Sequence, residues 1–340
     1  MSTLPPPGER AAVVAGVGGW VPPEVVTNED LSPYVNVSDE WIHSRTGIRT
    51  RHRVSPGMST SDLAVQAGRL ALASAGDERA GAVIVATTTP DRICPATAPD
   101  VAARLGLAGA PAFDISAVCA GFVHGLAAAA GLIAAGIADR VLLVGADAMT
   151  TIVDPTDRPT AIVFGDGAGA VVLRAGDRDE PGALGPVVLG TDGTLSHLIE
   201  VPAGGSRQRS QGKAPEPGAE FMHMEGRDTF RHAVEQLTSS SRQAVTAAGW
   251  TMEDIDRIAA HQANSRILAA VAERLGIPAE HQLSNIADVG NTGAASIPLL
   301  LAQSHAEGRL VPGNRTLLTA FGAGLAWGAS TLTWPKLHNG

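Results

Sequence analysis

An internal repeat constrains the fold of this 340-residue chain more than any other feature. A helical pattern at 61–75 precedes a β-branched strand at 82–86, and a helical pattern at 229–248 precedes a strand at 255–260. The segment 283–308 mirrors 113–136, and both Cys119 and Asn291 lie 17 residues before a glycine. Order and spacing rarely agree in this way by chance, so the repeat predicts a duplicated β-α-β unit.

This alternation of strands and helices predicts an α/β protein with mainly parallel mixed sheets and helices on their faces. We expect two similar halves, 11–175 and 185–335, packed about a pseudo-two-fold axis, with equivalent helix starts meeting near its centre. The Gly-, Pro- and Ser-rich region 175–220 is expected to hold the connection, with a strand at 187–189. Residues 1–10 are predicted to be a flexible tail outside both halves.

The segment 113–122 contains the most reactive candidate residue, Cys119. A short apolar run, predicted to be a buried strand, leads through small residues to this cysteine and then to an Ala-rich helix. At a helix start, unpaired N–H groups and the helix dipole favour thiolate, so the pattern predicts a nucleophile with a lowered pKa. The alternative is a small buried cysteine that fills a gap in the core.

Two polar segments of the second half are candidates for the partners of this cysteine. His261-Gln262-Ala263-Asn264 directly follows the strand at 255–260, where α/β proteins usually carry their chemistry. Asn291 opens the helix that the repeat makes equivalent to the Cys119 helix. Each residue alone is more often structural, but together they predict a nucleophile with two hydrogen-bond donors.

A basic cluster follows a tryptophan near the start of the chain. Ser38 is a good helix cap, and Trp41 lies in the helix predicted after it. Basic residues then crowd into a short stretch without acids between them: Arg45, Arg49, Arg51, His52 and Arg53. This pattern favours a ligand with phosphates and a ring, such as a nucleotide, as strongly as it favours a solvated surface.

Composition excludes several classes of function. The net charge of −9 argues against nucleic acid as a partner. Two cysteines, Cys94 and Cys119, form no disulfide framework and fit a reducing cytoplasm. The ten histidines are scattered away from carboxylates, so no metal site is predicted. No apolar run is long enough to span a membrane, and we expect a cytoplasmic protein.

The glycine-rich turn 165–169 interrupts a strand predicted at 161–173. It lacks the lysine of a phosphate-binding P-loop and the spacing of a dinucleotide fingerprint. Close backbone packing within the sheet is therefore the better interpretation of these glycines.

At this point the chain resembles the β-ketoacyl-acyl carrier protein synthase III family, condensing enzymes of the thiolase superfamily. The matching segments occur in family order from about residue 11 to 334: 39–42, 45–49, 113–116, 119–122, 154–158, 164–170, 261–264, 290–292 and 321–324. The resemblance implies a thiolase-like duplicated fold with five layers, α-β-α-β-α, in a homodimer. It implies an acyltransferase that condenses an acyl-CoA starter with malonyl-acyl carrier protein and so initiates fatty-acid or polyketide chains.

The resemblance also assigns roles to individual residues. Cys119, His261 and Asn291 would be catalytic, and the backbone N–H groups of Cys119 and Ala323 would form the oxyanion hole. CoA would contact Trp41, Arg45, Arg158, Gly226, Asn264 and Arg266, and Arg266 would also receive the acidic carrier protein. The acyl pocket would be lined by Cys94, Val118, Met224 and Phe321. Acyl-CoA would be a substrate, and no cofactor is expected.

Three positions depart from the family pattern. Cys94 replaces a bulky aromatic residue that caps the acyl pocket of the neighbouring subunit, which predicts room for longer or branched starters. Val118 is bulkier than the usual Ala or Gly and partly opposes that expectation. Ser265 stands where an apolar residue is common, and the sequence gives no account of it.

Two other enzymatic functions remain open at this point. An acyltransferase of the same fold would pass the acyl group from Cys119 to an alcohol or amine, although the amide of Asn291 favours condensation. A Cys-His-Asn hydrolase has the same residue order, although it explains neither the repeat nor the basic cluster. A binding module without catalysis would leave the three residues without a purpose.

Overall fold

A computed structural model describes residues 5–77 and 79–337. Its strands are β1 (Ala11–Trp20), β2 (Glu24–Thr27), β3 (Thr50–Arg53), β4 (Ala82–Ala86), β5 (Ala112–Ile115), β6 (Arg140–Asp147), β7 (Gly167–Gly176), β8 (Val188–Thr191), β9 (Ile199–Glu200), β10 (His223–Met224), β11 (Arg257–Ala260), β12 (Arg315–Gly322) and β13 (Ala326–Thr333). Its helices are α1 (Asn28–Val35), α2 (Asp39–Thr46), α3 (Thr60–Ser74), α4 (Ala98–Arg104), α5 (Gly121–Ala134), α6 (Arg158–Ala161), α7 (Ser206–Arg209), α8 (Gly226–Ala247), α9 (Ser265–Leu275), α10 (Ile286–Val289) and α11 (Ser296–Ala306).

Two mixed sheets repeat one strand order. The first sheet runs β1-β7-β6-β4-β5, and the second runs β8-β13-β12-β11. A single parallel bridge between Ile258 and Gln282 lies beside β11, where the first sheet has β5. The predicted duplication is confirmed, with the outermost strand of the second half reduced to this one bridge.

The sheets and helices form five layers. Helix α3 packs on the outer face of the first sheet, α5 and α11 lie between the sheets, and α8 and α9 cover the second sheet. Alternation along β4 explains this arrangement, because Val83 and Val85 join the cluster under α3 while Ile84 joins the central cluster. All five residues of β4 are buried, as expected for a strand covered on both faces. The five-layer α/β fold is therefore confirmed.

The repeat extends to the ends of the two central helices. Helices α5 and α11 are each followed, after one further residue, by a glycine in the left-handed conformation, Gly136 (φ 69°) and Gly308 (φ 70°). The next residue, Ile137 or Arg309, donates its N–H back to the carbonyl of Leu132 or Ser304. Glycine fits this helix end because it has no Cβ to clash.

Three predictions about the strands need correction. Three of the seven pairings in the large sheets are parallel, so the sheets are not mainly parallel; β7 and β13 lie antiparallel to both of their neighbours. The strand at 113–115 is not buried, since β5 is an edge strand with Phe113 37% exposed. The strand predicted at 161–173 begins only at Gly167, because α6 ends at Ala161 and a turn follows.

The connection between the two halves contains regular secondary structure, and the start of the chain is hydrogen-bonded to the rest of the protein. Between β8 and α8 lie α7 and the small sheet of β9 and β10, beyond the one strand predicted there. The described part of the predicted tail, Pro5–Arg10, is anchored, since the Gly8 N–H donates to the Ala134 carbonyl (2.7 Å); residues 1–4 lie outside the described residues. No helix in the described ranges is long and apolar enough to cross a bilayer.

Candidate active site

The three candidate catalytic residues line one cavity of about 250 Å³ between the halves. Cys119 lies in a 3₁₀ turn, Val118–Ala120, directly before α5, and His261 follows β11. Asn291 stands two residues before the corresponding 3₁₀ turn, Gly293–Ala295, that leads into α11. The duplicated topology thus brings the nucleophile of the first half to the imidazole and amide of the second.

Burial, and not the position at a helix start, has the largest effect on the pKa of the Cys119 thiol. Its pKa is raised to about 12, chiefly by burial and further by the charge of Asp147, while its own backbone N–H acts in the opposite direction. The prediction of a lowered pKa is therefore wrong. One favourable N–H does not offset the loss of water around a thiolate. At neutral pH the side chain is a thiol and must lose its proton as it attacks.

His261 is neutral at physiological pH. It is 3% exposed, and burial lowers its pKa to about 4. Its backbone N–H donates to the Thr319 carbonyl (2.8 Å), which fixes the residue beside β12. Nδ1 is buried, and no described residue bonds to it, so the ring lacks the carboxylate that orients many catalytic histidines. A neutral imidazole can accept a proton or donate a hydrogen bond.

Asn291 is held from both sides by the first half. Its N–H donates to the Val163 carbonyl (2.9 Å), and its carbonyl accepts from the Gly165 N–H (3.0 Å). Its side-chain Oδ1 accepts from the Gly293 N–H (3.0 Å). Because the amide oxygen is engaged in this turn, the Nδ2 group remains the donor available to the cavity.

The remaining lining is mostly apolar. Among the residues predicted for the acyl pocket, Val118, Met224 and Phe321 line the cavity, and Ala323 lies there beside Cys119. Val118 has φ 47°, a conformation that β-branched residues rarely adopt. Much of the wall was not predicted from the sequence: Ile162, Val163, Phe164, Ile199, Met222, Phe230, Ala233, Leu237 and Ile267. The four-residue spacing of Thr229, Ala233 and Leu237 on α8 was the available signal, but it is equally typical of a core face.

Cys94 lies apart from the cavity of its own chain. It is exposed in the loop between β4 and α4, next to Ile93, which is 72% exposed. Its predicted role concerned the pocket of a neighbouring subunit, so the prediction stays open.

The mouth of the cavity carries part of the predicted CoA path. Arg45, Gly226 and Asn264 line the cavity. The guanidinium carbons of Arg45 and Arg158 each lie 5.4 Å from the centre of the Trp41 ring. Trp41 and Arg158 themselves do not line the cavity. Arg266 is exposed on the first turn of α9 and does not line the cavity. An aromatic ring stacked with two cations is a surface suited to a planar, anionic ligand.

The predicted basic cluster separates into two parts. Arg45 is exposed at the mouth, but Arg51 is buried and donates to Asn28 Oδ1 (2.7 Å) and to the Ile162 carbonyl (2.9 Å). Burial lowers its pKa to about 10. Arg53 pairs with Glu24 across the two-stranded antiparallel sheet of β2 and β3. Arg51 and Arg53 are thus structural, and Arg45 is the residue of the cluster that lines the cavity.

Close packing explains the glycines of the 165–169 turn and the unexplained serine. A Cβ on Gly165 would meet the Val289 carbonyl at 2.4 Å, and one on Gly169 would meet the Leu299 nitrogen at 2.1 Å. The packing interpretation is confirmed, although the contacts run from strand to helix. Ser265 lies against Gly47, where a Cβ would be 2.6 Å from its own Cβ. A larger side chain at 265 would push α9 away from the end of α2.

Two polar residues near the site were not singled out from the sequence. Gln262 is buried, and its N–H donates to the Ser296 hydroxyl oxygen (2.7 Å), which ties the His261 segment to α11. Asp147 ends β6 as a buried carboxylate. The strand-end rule that selected His261 also applies to Asp147, which is the last residue of β6. The described residues contain no group of three or more potential metal ligands.

Comparisons with known proteins agree over nearly the whole chain. Residues 113–193 match the profile described as 3-oxoacyl-[acyl-carrier-protein (ACP)] synthase III, and residues 245–334 match its C-terminal profile. A β-ketoacyl-[acyl-carrier-protein] synthase III of Streptomyces coelicolor is 54% identical over 331 residues, covering 96% of this chain and 98% of that protein. One from Pseudomonas aeruginosa is 52% identical over 328 residues, with the same coverage.

Solved structures show the same similarity. The crystal structure of 3-oxoacyl-(acyl carrier protein) synthase III from Pseudomonas aeruginosa superposes with a TM-score of 0.91 at 51% identity, covering 97% of this chain and 100% of that one. The priming β-ketosynthase of the R1128 polyketide pathway superposes with a TM-score of 0.90 at 34% identity, covering 98% and 99%.

Proposed function

This chain belongs to the 3-oxoacyl-[acyl-carrier-protein] synthase III family, and from that membership we propose how its cavity divides the work of the reaction. It condenses an acyl-CoA starter with malonyl-acyl carrier protein and thereby initiates a fatty-acid or polyketide chain. The assignments of individual residues below are our proposal.

In the first step Cys119 becomes acylated. Its sulfur attacks the thioester carbon of acyl-CoA while the thiol proton passes to a ring nitrogen of neutral His261. The N–H groups of Cys119 and Ala323 hold the oxyanion of the tetrahedral intermediate. The carbon–sulfur bond to CoA then breaks, and the departing thiolate takes the proton back from His261. The high pKa of the thiol makes this transfer part of the attack and not a prior ionisation.

In the second step malonyl-acyl carrier protein replaces CoA. Its carboxylate leaves as CO₂, and the electron pair of the broken bond forms an enolate whose oxygen is held by N–H groups of His261 and Asn291. The enolate carbon attacks the acyl thioester, releasing the Cys119 thiolate, which takes up a proton from water. The observation that supports this proposal is that His261 and Asn291 are both neutral donors in the cavity of Cys119. A carboxylate at position 291 would instead repel the enolate.

CoA enters, in our proposal, past the arginine-flanked ring at the mouth. Its adenine would lie against Trp41 between Arg45 and Arg158, and its phosphates and pantetheine would pass Gly226, Asn264 and Arg266. Arg266 would also steer the acidic carrier protein. Both substrates and these side chains account for every bond change, so we propose that the enzyme works without a cofactor.

A paired measurement tests the division of roles. Intact-mass spectrometry follows acylation of Cys119 by acyl-CoA, and CO₂ release from malonyl-acyl carrier protein follows the second step. Cys119→Ala should abolish the mass gain. Asn291→Asp should keep it while CO₂ release falls by about 10²–10³-fold, as for the loss of an oxyanion donor.

Asn314→Asp makes the same chemical change at a turn outside the cavity and should leave both steps unchanged. The proposal is wrong if Asn291→Asp releases CO₂ at the wild-type rate. It is equally wrong if the acylated enzyme passes its acyl group to water, an alcohol or an amine without decarboxylation.

A further inference from the structure

Asp147 is a buried carboxylate that joins the two halves next to the cavity. It ends β6 and is fully buried. Its Oδ1 accepts from the N–H of Thr88 (2.6 Å) and the hydroxyl of Thr87 (3.1 Å), and more weakly from Thr89. Its Oδ2 accepts from the N–H of Ala294 in the second half (2.7 Å). A buried charge is retained at such a place only with this many donors.

The second-half partner of Asp147 is the turn that orients Asn291. A Cβ on Gly293 would lie 2.2 Å from Asp147 Oδ2, so the carboxylate presses directly against this residue. The Gly293 N–H in turn donates to Asn291 Oδ1 (3.0 Å). Asp147 Oδ2 therefore holds the turn at Ala294, and the N–H of the preceding residue, Gly293, fixes the Asn291 amide.

We propose that Asp147 is a positioning residue for the condensation step, holding the Asn291 turn against the end of β4. This inference rests on the role proposed above for Asn291. It does not make Asp147 an activator of the nucleophile, because its charge raises the pKa of Cys119 and so opposes the thiolate. The loss of Asp147 should therefore slow the condensation step without slowing acylation.

Neutralising the carboxylate by acid should act on the same step. Burial raises the pKa of Asp147 to about 6, against the hydrogen bonds that lower it. It is therefore mostly ionised at pH 7 and protonates as pH falls through 6, when one oxygen becomes an O–H donor and a weaker acceptor. The groups facing it from the β4 end and from the 293–294 turn are uncharged, and Cys119 is the titratable group that feels its charge. His261 stays neutral throughout this range.

Asp147→Asn is the direct test, with acylation and CO₂ release measured separately on the full-length enzyme. We expect CO₂ release to fall by about 10–100-fold, since misplacing a reacting group by about 1 Å can cost about 10²-fold. Acylation of Cys119 should be unchanged or faster. The fall in wild-type CO₂ release between pH 7 and 5 should be absent from the variant. Asp256→Asn, which removes another carboxylate that accepts from a backbone N–H, should change neither the ratio of the steps nor the pH profile.

Thr87→Val provides a milder variant if Asp147→Asn does not fold. It removes one donor that lowers the pKa of Asp147, so the acid fall in CO₂ release should move to higher pH while acylation keeps its profile. Equal losses in both steps, or an unmoved pH profile, overturn the inference and leave the proposed function intact. A wild-type enzyme that is acylated but releases no CO₂ overturns both.

Discussion

At Cys119 two effects on one thiol oppose each other. The helix start offers N–H groups that stabilise a thiolate, while the apolar cavity and the nearby Asp147 penalise it. The penalty prevails, and the thiol stays protonated until a base is in place. Because the thiolate is the nucleophile, a thiol held protonated in this way is expected to react slowly with electrophiles near neutral pH.

The pH dependence of alkylation measures this balance. In a Cys94→Ala background, the rate at which iodoacetamide modifies Cys119 should rise about tenfold per pH unit between pH 6 and 9 without a plateau. An acid whose pKa is raised to about 12 remains protonated across that range, so its thiolate fraction keeps growing with pH. Intact-mass spectrometry gives the rate, and circular dichroism at each pH checks that the protein stays folded. A plateau near neutrality would instead indicate the lowered pKa that the helix start alone predicts.

The residues of the site were predictable to different degrees for a physical reason. Cys119, His261 and Asn291 follow strand ends or helix starts, which are local features of the sequence. The pKa of the thiol depends on desolvation by residues distant in the chain, and no local pattern reports it. The same limit hid the structural role of Arg51, whose partners Asn28 and Ile162 lie on other elements.

At the scale of elements, strands and central helices are held close by glycines. Gly169 of β7 faces the backbone of α11, and Gly145 of β6 faces the Ala294 carbonyl at a distance where no Cβ fits. These contacts allow α11, which follows the Asn291 turn, to rest directly on the first sheet. The precision of the site thus depends on backbone packing as well as on side chains.

Substituting two glycines distinguishes close packing from mere helix or strand preference. In Gly169→Ala the new Cβ would meet backbone atoms at 2.1 and 2.4 Å, so we expect a loss of about 1–3 kcal/mol in unfolding free energy. Gly131→Ala in α5 has nothing within 4 Å and should gain about 0.5–1 kcal/mol, because alanine favours the helix. Urea denaturation measures both. A gain in unfolding free energy for Gly169→Ala as well would show that packing at Gly169 is looser than these distances imply.

Elements with strong periodicity were predicted nearly to the residue, and those without it were not. The helix at 61–75 and the strand at 82–86 correspond to α3 and β4. The run at 113–115 holds two large apolar residues around Asp114, but its composition does not say whether a further strand lies beside it. Burial of a strand is decided by its neighbours in the sheet, which the sequence of that strand does not contain.

For the whole molecule, the open edge of the first sheet is an exposed apolar feature of the nucleophile's half. β5 pairs only with β4 among the described strands, and Phe113 on it is 37% exposed. Ile93 and Cys94 project from the neighbouring loop. Edge strands with apolar side chains rarely stay uncovered. We therefore propose that the homodimer expected from the family resemblance forms along this edge, where Cys94 would face the partner's cavity.

The mass of the protein in solution tests this placement. By sedimentation, the mass of the wild-type protein should be about twice the chain mass of 34.7 kDa. The double substitution Ile93→Asp and Phe113→Asp should lower this mass towards that of a single chain. Two carboxylates brought into an apolar interface would be costly, because burial of an unpaired charge is strongly unfavourable. Ile137→Asp makes the same change at a residue that is 61% exposed after α5 and should leave the mass unchanged. A dimer that survives the edge substitutions but dissociates with Ile137→Asp would put the interface, and with it the expected place of Cys94, on another face.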